Sequence, residues 1–416
     1  MPANFVWSEP PIIQAKNLQP LATYRLDVER ALFSSDTTHQ KSSLTYVADE
    51  NGAINTALYP DETDESLSPY LPFQTMASVK GPTSVPKGVV QLRLLSADGV
   101  VIDERQVRTS PPQDRFYEEA LGADFPGAFV LKRRGLTTAL PALVILGGSE
   151  GGVTSARAQA PTFAAEGYIV LGFPYYSPAW FGDKPAIPEL PRAFAELPVD
   201  YLESAVEKLR DRPDVDASSV SLLGGSKGAE FVLLAASLIP DDSAGGGFCA
   251  IVADVPTDVV WEGWGKYEAA ERYSGFSWRG DALPFVPYVD IERVWNARST
   301  GDNYTMTQAH ENGRAAFPGA VESARIRVEA IDEPVMVIGG DKDTTWASGK
   351  MSRIIAARRT KAGLETETYV YPEGTHRVGG TPLARLSEAN LRARLENFPA
   401  MMSFLRRHST RPNCRT

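Results

Sequence analysis

Two cysteines and four histidines are all that this chain of 416 residues offers to disulfide or soft-metal chemistry. A disulfide scaffold and a cysteine-rich zinc or iron–sulfur site are excluded. Cys249 follows a glycine run and opens an apolar stretch, which reads as a small buried hydrophobe; Cys414 lies in a polar tail. His39, His310, His376 and His408 lie far apart, and none has a second histidine at metal-ligand spacing. No metal or prosthetic group is expected. Basic residues are also in the minority, 42 against 52 acidic, a net charge of −10. That balance argues against a nucleic-acid binder working by phosphate neutralisation. No run approaches the roughly 18 apolar residues that a membrane span needs. The N-terminal MPANFVWSEPPIIQAK lacks the basic and apolar regions of a secretory signal. A soluble, cytoplasmic protein is the expectation. With 43% hydrophobic and 23% charged residues the composition is globular, and the length accommodates two domains.

The first 110 residues read as β-structure. Ser43–Val47 runs into Asp49-Glu50-Asn51-Gly52, and Val89–Leu95 runs through Ala97-Asp98-Gly99 into Val100–Val107. Asn-Gly and Asp-Gly between β-prone runs predict hairpins, because both positions tolerate positive φ. The stretch 59–70 (YPDETDESLSPY) is an acidic, proline-flanked loop. An immunoglobulin-like β-sandwich over 1–112 fits this block, with Ser110-Pro111-Pro112-Gln113 as the boundary. From about residue 140 apolar strands alternate with helices. Leu143–Leu146, Tyr168–Phe173, Val220–Leu223, Ala250–Val255, Val335–Ile338 and Glu367–Tyr371 are each followed by helical or polar sequence. Continuous apolar strands between helices predict a mostly parallel α/β sheet covered on both faces over 113–416. Functional groups are then expected at the carboxyl ends of its strands.

Three strand ends carry chemistry. Val220–Leu223 ends in Gly224-Gly225-Ser226-Lys227-Gly228, a G-x-S-x-G between strand and helix. Small residues at 224 and 228 would let strand and helix approach and leave the Ser226 hydroxyl exposed on a strained turn. A phosphate loop would need G-x-x-x-x-G-K-[ST], which is absent. A serine hydroxyl requires a base, and only His376 among the histidines follows a strand at a suitable position, in Pro372-Glu373-Gly374-Thr375-His376. The acid falls in Gly340-Asp341-Lys342-Asp343, where spacing favours Asp343 over Asp341. Oxyanion donors are expected from the Lys227 backbone N–H and from Gly147-Gly148-Ser149-Glu150-Gly151-Gly152, Ser149 first and Glu150 second.

These stretches, with Gly172-Phe173-Pro174-Tyr175-Tyr176, Gly228-Ala229-Glu230 and Asp343-Thr344-Thr345-Trp346, resemble the acyl-CoA thioesterase and bile acid-CoA:amino acid N-acyltransferase family. The S-K-G-x-E elbow and the D-x-x-W after the acid are more specific than a generic hydrolase pattern. The resemblance covers nearly the whole chain and implies a β-sandwich followed by an α/β-hydrolase domain. It assigns nucleophile, acid and base to Ser226, Asp343 and His376. It further implies a division by nucleophile, cysteine in the amino-acid-conjugating branch and serine in the thioesterases, so Ser226 points to hydrolysis. Arg377-Val378-Gly379-Gly380-Thr381-Pro382 departs from the proline-rich continuation of the animal enzymes.

An aromatic-rich insertion spans about 257–325. Four of the seven tryptophans (Trp261, Trp264, Trp278, Trp295) fall in it, with Tyr267, Tyr273, Phe276, Phe285 and Tyr288. Trp261, Trp264 and Trp278 are expected to wall an apolar substrate; the alternative is packing of the insertion against its own domain or against the β-sandwich. The basic residues Arg353, Arg358, Arg359 and Lys361 read first as a solvated helix face, with contact to CoA phosphates as the alternative. The expected activity is cleavage of an acyl thioester, with a CoA moiety as leaving group, through an acyl-serine. The alternatives are acyl transfer to an amine or alcohol, and a carboxylesterase or peptidase using the same residues.

Overall fold

The computed structural model describes residues 4–6, 12–32, 35–56, 71–74, 76–110, 115–179, 184–266, 271–380 and 387–409. The acidic stretch 59–70, the boundary residues 111–113, Tyr267 and Cys414 lie outside the described residues. The chain divides into two compact units, 1–116 with 381–396, and 117–380 with 397–416. No helix among the described residues is long and apolar enough to cross a membrane.

The first unit is built on six strands, β1 (Asn4–Val6), β3 (Thr23–Leu32), β4 (Ser35–Val47), β6 (Ala77–Lys80), β7 (Val89–Ser96) and β8 (Val101–Ser110), in the order β1-β8-β7-β3-β4-β6. Alternation drives it: Tyr24, Leu26 and Val28 on β3 and Val90, Leu92 and Leu94 on β7 are buried on one face. The antiparallel register pairs Leu26 with Leu94 and Val28 with Leu92. A ribbon of β2 (Gln14–Ala15) and β5 (Ile54–Asn55) forms the thinner second layer, adding Ile13 and Ile54 to the same core. The β7–β8 hairpin turns at Asp98-Gly99, with Gly99 at φ 86°. The turn at Asn51-Gly52 does not make a hairpin. Asp49 Oδ1 accepts the N–H groups of Asn51 (2.9 Å) and Ala53 (2.8 Å), and the chain leaves β4 to pair β5 with β2. An Asx turn therefore makes a corner between layers.

The second unit carries an eight-stranded sheet of β9 (Phe116–Ala120), β10 (Phe129–Arg133), β11 (Leu140–Leu146), β12 (Ile169–Gly172), β14 (Val215–Gly225), β15 (Ile251–Asp254), β18 (Val335–Gly340) and β19 (Thr366–Tyr371). The order is β9-β10-β12-β11-β14-β15-β18-β19. β10 runs antiparallel to β12, and every pairing from β12 through β19 is parallel. Helices Thr154–Ala165, Asp200–Arg210, Lys227–Leu238 and Ser348–Lys361 supply crossovers. This is the α/β-hydrolase order, and it brings the ends of β11, β14, β15, β18 and β19 to one rim. β11, β12 and β18 are buried along most of their length, which is why they read as continuous apolar runs.

Between β12 and β14, β13 (Leu197–Pro198) pairs with β16 (Phe276–Trp278) of the insertion, and β16 pairs with β17 (Asp281–Ala282). Helices Ile291–Thr300, Met306–Ala316 and Pro318–Ser323 complete the insertion.

Arg353 and Lys361 lie on the solvated face expected of the basic helix, but Arg359 does not. Arg359 is completely buried, donating to the carbonyls of Val328, Ile331 and Glu333 at 2.7 Å, of Glu365 at 3.0 Å, and to Thr366 Oγ1 at 2.9 Å. A planar guanidinium can satisfy several loop carbonyls at once, which composition alone does not reveal. Arg353 pairs with Asp341 and Arg358 with Glu329.

Glu333 is nearly buried in the same region, and its Oε1 accepts the Phe248 N–H at 2.9 Å. Burial, reinforced by the Asp241 and Asp332 carboxylates, pushes this carboxyl up to about 7. An ordinary glutamate in the unfolded chain titrates near 4.5, so between these values the folded state holds the extra proton. Stability attributable to Glu333 is therefore full below pH 4.5 and declines as pH rises towards 7. Glu333→Gln keeps an acceptor for Phe248 and cannot ionise. Its melting temperature is expected to fall less than that of the unsubstituted protein between pH 5 and 7.5, read by thermal melts across that range.

Candidate active site

The site begins with a backbone constraint. β14 ends at Gly225, and the helix Lys227–Leu238 starts two residues later, with Ser226 between them at φ 58°, ψ −121°. Few non-glycine residues adopt positive φ, and such a conformation costs on the order of 1–3 kcal/mol. Hydrogen bonds hold it from both sides. The Ser226 N–H donates to Asp254 O at 2.9 Å, and its carbonyl accepts from Ala229 (2.9 Å) and Glu230 (3.2 Å). The flanking glycines are required by contact. A Cβ on Gly224 would lie 2.1 Å from Gly228 O, and one on Gly228 would lie 2.5 Å from Gly147 O.

Ser226, half-buried, meets His376 from the loop after β19. His376 Nε2 is 2.9 Å from Ser226 Oγ, and Nδ1 is 2.8 Å from Asp343 Oδ2. Asp343 is buried in the loop after β18. Its Oδ1 accepts the Thr345 N–H at 2.8 Å and the Trp346 N–H at 3.4 Å, which leaves Oδ2 for the imidazole. A carboxylate only accepts, so Nδ1 carries the proton and Nε2 presents its lone pair to the serine hydroxyl. Asp341, two residues earlier, faces Arg353 at 2.7 and 2.8 Å. From the insertion, Thr307 Oγ1 donates to Asp343 O at 2.8 Å and steadies the acid loop.

The glycine-rich loop after β11 lies against the elbow: a Cβ on Gly148 would be 2.8 Å from that of Ser226. Its carbonyls are tied down in sequence. Tyr175 donates to Gly147 O at 2.9 Å, Gly151 N–H to Gly148 O at 3.2 Å, and Tyr176 to Ser149 O. In trans peptides the N–H groups of Gly148, Ser149 and Glu150 face the opposite way. Gly148 N–H donates to Glu150 Oε1 at 3.1 Å. The Tyr175-Tyr176 pair thus fixes the orientation of the peptides for which Ser149 and Glu150 were singled out. The Lys227 N–H opens its helix, where geometry supplies no intrahelical acceptor.

The three tryptophans part company. Trp264 stacks on Phe194, centroids 4.2 Å apart, and lies 5.5 Å from the Lys227 ammonium, beside the elbow. Trp278 is half-buried at the end of β16 beneath Arg279. Trp261 has no accessible surface. Its indole N–H donates to Thr257 Oγ1 at 2.7 Å, and its ring stacks on Tyr288 and meets His310 edge-on. Trp261 is a core residue, which removes it from the wall expected for a substrate. The reason is that the insertion buries aromatics against the sheet as well as around the site. His310, placed by sequence in a polar insertion, is also buried. Its Nδ1 donates to Met306 O at 2.6 Å, and burial pushes its pKa down to about 3, keeping the ring neutral. Among the described residues no group of His, Cys, Asp and Glu is arranged to hold a metal ion.

Residues 197–400 match the family model described as BAAT / Acyl-CoA thioester hydrolase C terminal. Over those residues the chain is similar to that family's C-terminal domain. It is similar to human acyl-coenzyme A thioesterase 1, 26% identical over 286 residues, covering 64% of this chain and 60% of that protein. Mouse mitochondrial acyl-coenzyme A thioesterase 2 is 32% identical over 239 residues, covering 57% and 45%. The chain thus matches between about half and three-fifths of the length of these relatives. Among solved structures, a putative dienelactone hydrolase from Klebsiella pneumoniae aligns with TM-score 0.41 at 14% identity, covering 67% of this chain and 92% of that one.

Gly228→Ala tests the elbow. The added methyl meets backbone oxygens of Gly147 and Leu146 at 2.5 and 2.6 Å, which cannot yield as a flexible side chain would. A loss of about 1–3 kcal/mol is expected in denaturant unfolding, together with loss of Ser226 labelling by a fluorophosphonate.

Proposed function

We propose that this protein is a serine hydrolase that cleaves acyl thioesters, an acyl-CoA thioesterase releasing free acid and CoA. The reading rests on the line Ser226 Oγ, His376 Nε2, His376 Nδ1 and Asp343 Oδ2, with contacts of 2.9 and 2.8 Å behind a strained elbow. The match of residues 197–400 to the family model supports the thioester as substrate class.

Ser226 Oγ attacks the carbonyl carbon as its proton passes to His376 Nε2, and Asp343 orients and stabilises the imidazolium without taking a proton. The negative charge that develops on the carbonyl oxygen is met by backbone N–H groups of Lys227 and of Ser149 or Glu150. Collapse breaks the C–S bond, and the departing thiolate takes the proton from His376. Water then gives a proton to His376 as it attacks the acyl-serine, and the same proton returns to Ser226 Oγ as the acid leaves. Exposure favours water as the acceptor: His376 is only half-buried, and Ser149 and Glu150 are exposed. An acyl-oxygen ester suits water, whereas a thioester on cysteine would be comparatively more open to an amine.

The test is thiol release from a panel of acyl-CoAs, with and without glycine or taurine. Release is expected to be independent of the amine and to fall at least about a thousandfold in Ser226→Ala, with a similar loss in Asp343→Asn. Amine-dependent product would make the protein an acyltransferase. No release from any CoA ester would leave an esterase or peptidase on the same residues.

A further inference from the structure

The two most specific motifs of the sequence, S-K-G-x-E and D-x-x-W, have no part in the chemistry above beyond Ser226, the Lys227 N–H and Asp343. Their remaining side chains meet. Lys227 has almost no accessible surface, and its Nζ lies 2.7 Å from Oε2 of the equally buried Glu230. Four rings surround the ammonium, with centroids at 5.2 Å (Phe194), 5.5 Å (Trp264), 5.8 Å (Trp346) and 6.0 Å (Phe276). The other Glu230 oxygen accepts the Trp261 N–H at 3.1 Å. Trp346 stands edge-on to His376, centroids 5.0 Å apart and planes at 88°. Its indole N–H donates at 3.0 Å to the carbonyl of Val255, a β-branched residue held at φ 47° at the exit of β15.

This arrangement is costly in isolation. Burying two charges costs several kcal/mol per ion, and apolar residues of similar volume often replace such pairs without loss. A lysine in the first turn also sits at the unfavourable end of the helix dipole. Stability alone gives no reason for it, and departures from local rules concentrate where function demands them.

We propose that the Lys227–Glu230 pair is a positioning device, an ammonium clamped among aromatic rings that fixes the elbow peptide and, through Trp346, the His376 ring. One end of the clamp is the residue whose N–H would meet the oxyanion. The other reaches the insertion through Trp261 and the base through Trp346. The proposal rests on the serine-hydrolase reading of the site.

The experiment uses the full chain and a fluorophosphonate, whose reaction with Ser226 needs no CoA substrate. Lys227→Met, Glu230→Gln, the double variant Lys227→Met/Glu230→Gln and Trp346→Phe are compared in kinact, KI and melting temperature. The double variant removes both charges and keeps an acceptor for Trp261, so it avoids a stranded buried charge. In it, melting temperature is expected to recover relative to the single variants, while kinact stays about 10- to 100-fold below the unsubstituted value with KI unchanged. Trp346→Phe is expected to lower kinact in the same way. A double variant whose kinact returns with its melting temperature would overturn the proposal and leave the pair a structural element. Labelling of the unsubstituted protein without thiol release from acyl-CoAs would sink the thioesterase reading and leave this proposal standing. No labelling of the unsubstituted protein would sink both.

Discussion

Everything at this site depends on one residue held in a backbone conformation it would not choose. Ser226 at φ 58° projects its hydroxyl out of the corner between β14 and the following helix. A relaxed turn would carry it along the sheet or into the helix. The strain is tolerated because the surroundings over-determine the turn: three backbone hydrogen bonds to Ser226, and contacts at 224 and 228 too close for any side chain. The same closeness brings the loop after β11 against the elbow, so one tight approach sets both the Ser226 hydroxyl and the peptides beside it.

From that corner the other motifs acquire physical reasons. Tyr175 and Tyr176 follow β12, and β12 neighbours β11, so their phenols reach the carbonyls of the adjacent glycine-rich loop. Tyr175 is fully enclosed, and burial pushes its phenol well above its ordinary range, which keeps it a donor. Trp346 follows Asp343 by three residues because the acid loop must bend its backbone N–H groups onto Oδ1 and still deliver a flat ring against His376. Each spacing is a statement about which strand end lies next to which.

Most strand ends were legible because buried parallel strands announce themselves as unbroken apolar runs, and Ser226 and Asp343, which meet His376 in space, had only to be read after β14 and β18. The two strands at the β9 end of the sheet were not. Phe116–Ala120 (FYEEA) has a single buried position, and Phe129–Arg133 (FVLKR) is short and ends in two charges, so neither stands apart from loop sequence, yet they complete the sheet. The turn at Asn51-Gly52 was visible as a turn, but its destination depended on a distant partner, β2. Arg359 and Trp261 misled for a shared reason. Charge and aromaticity indicate what a side chain can do, whereas burial decides whether solvent or substrate can reach it. His310 was lost for the same cause, since one histidine in a polar stretch carries no sign that Trp261, Tyr288 and Trp346 enclose it.

That distinction bears on how an acyl-serine would be resolved. An insertion rich in aromatics suggests a lid that excludes water and favours transfer to an organic acceptor. Here Trp261, Phe276 and Tyr288 are spent on the core of the insertion itself, and Phe194 is covered by Trp264. The rings closest to the elbow face a buried ammonium that already has a carboxylate partner. Aromatic surface engaged in holding the elbow cannot also serve as a shield. On the proposed reading, the partly exposed His376 ring would give water an approach, and an acyl-serine would be an ester that water can open. On that reading, exposure of His376, together with serine at the elbow, weighs the partition towards hydrolysis more strongly than the aromatic content of the insertion weighs against it.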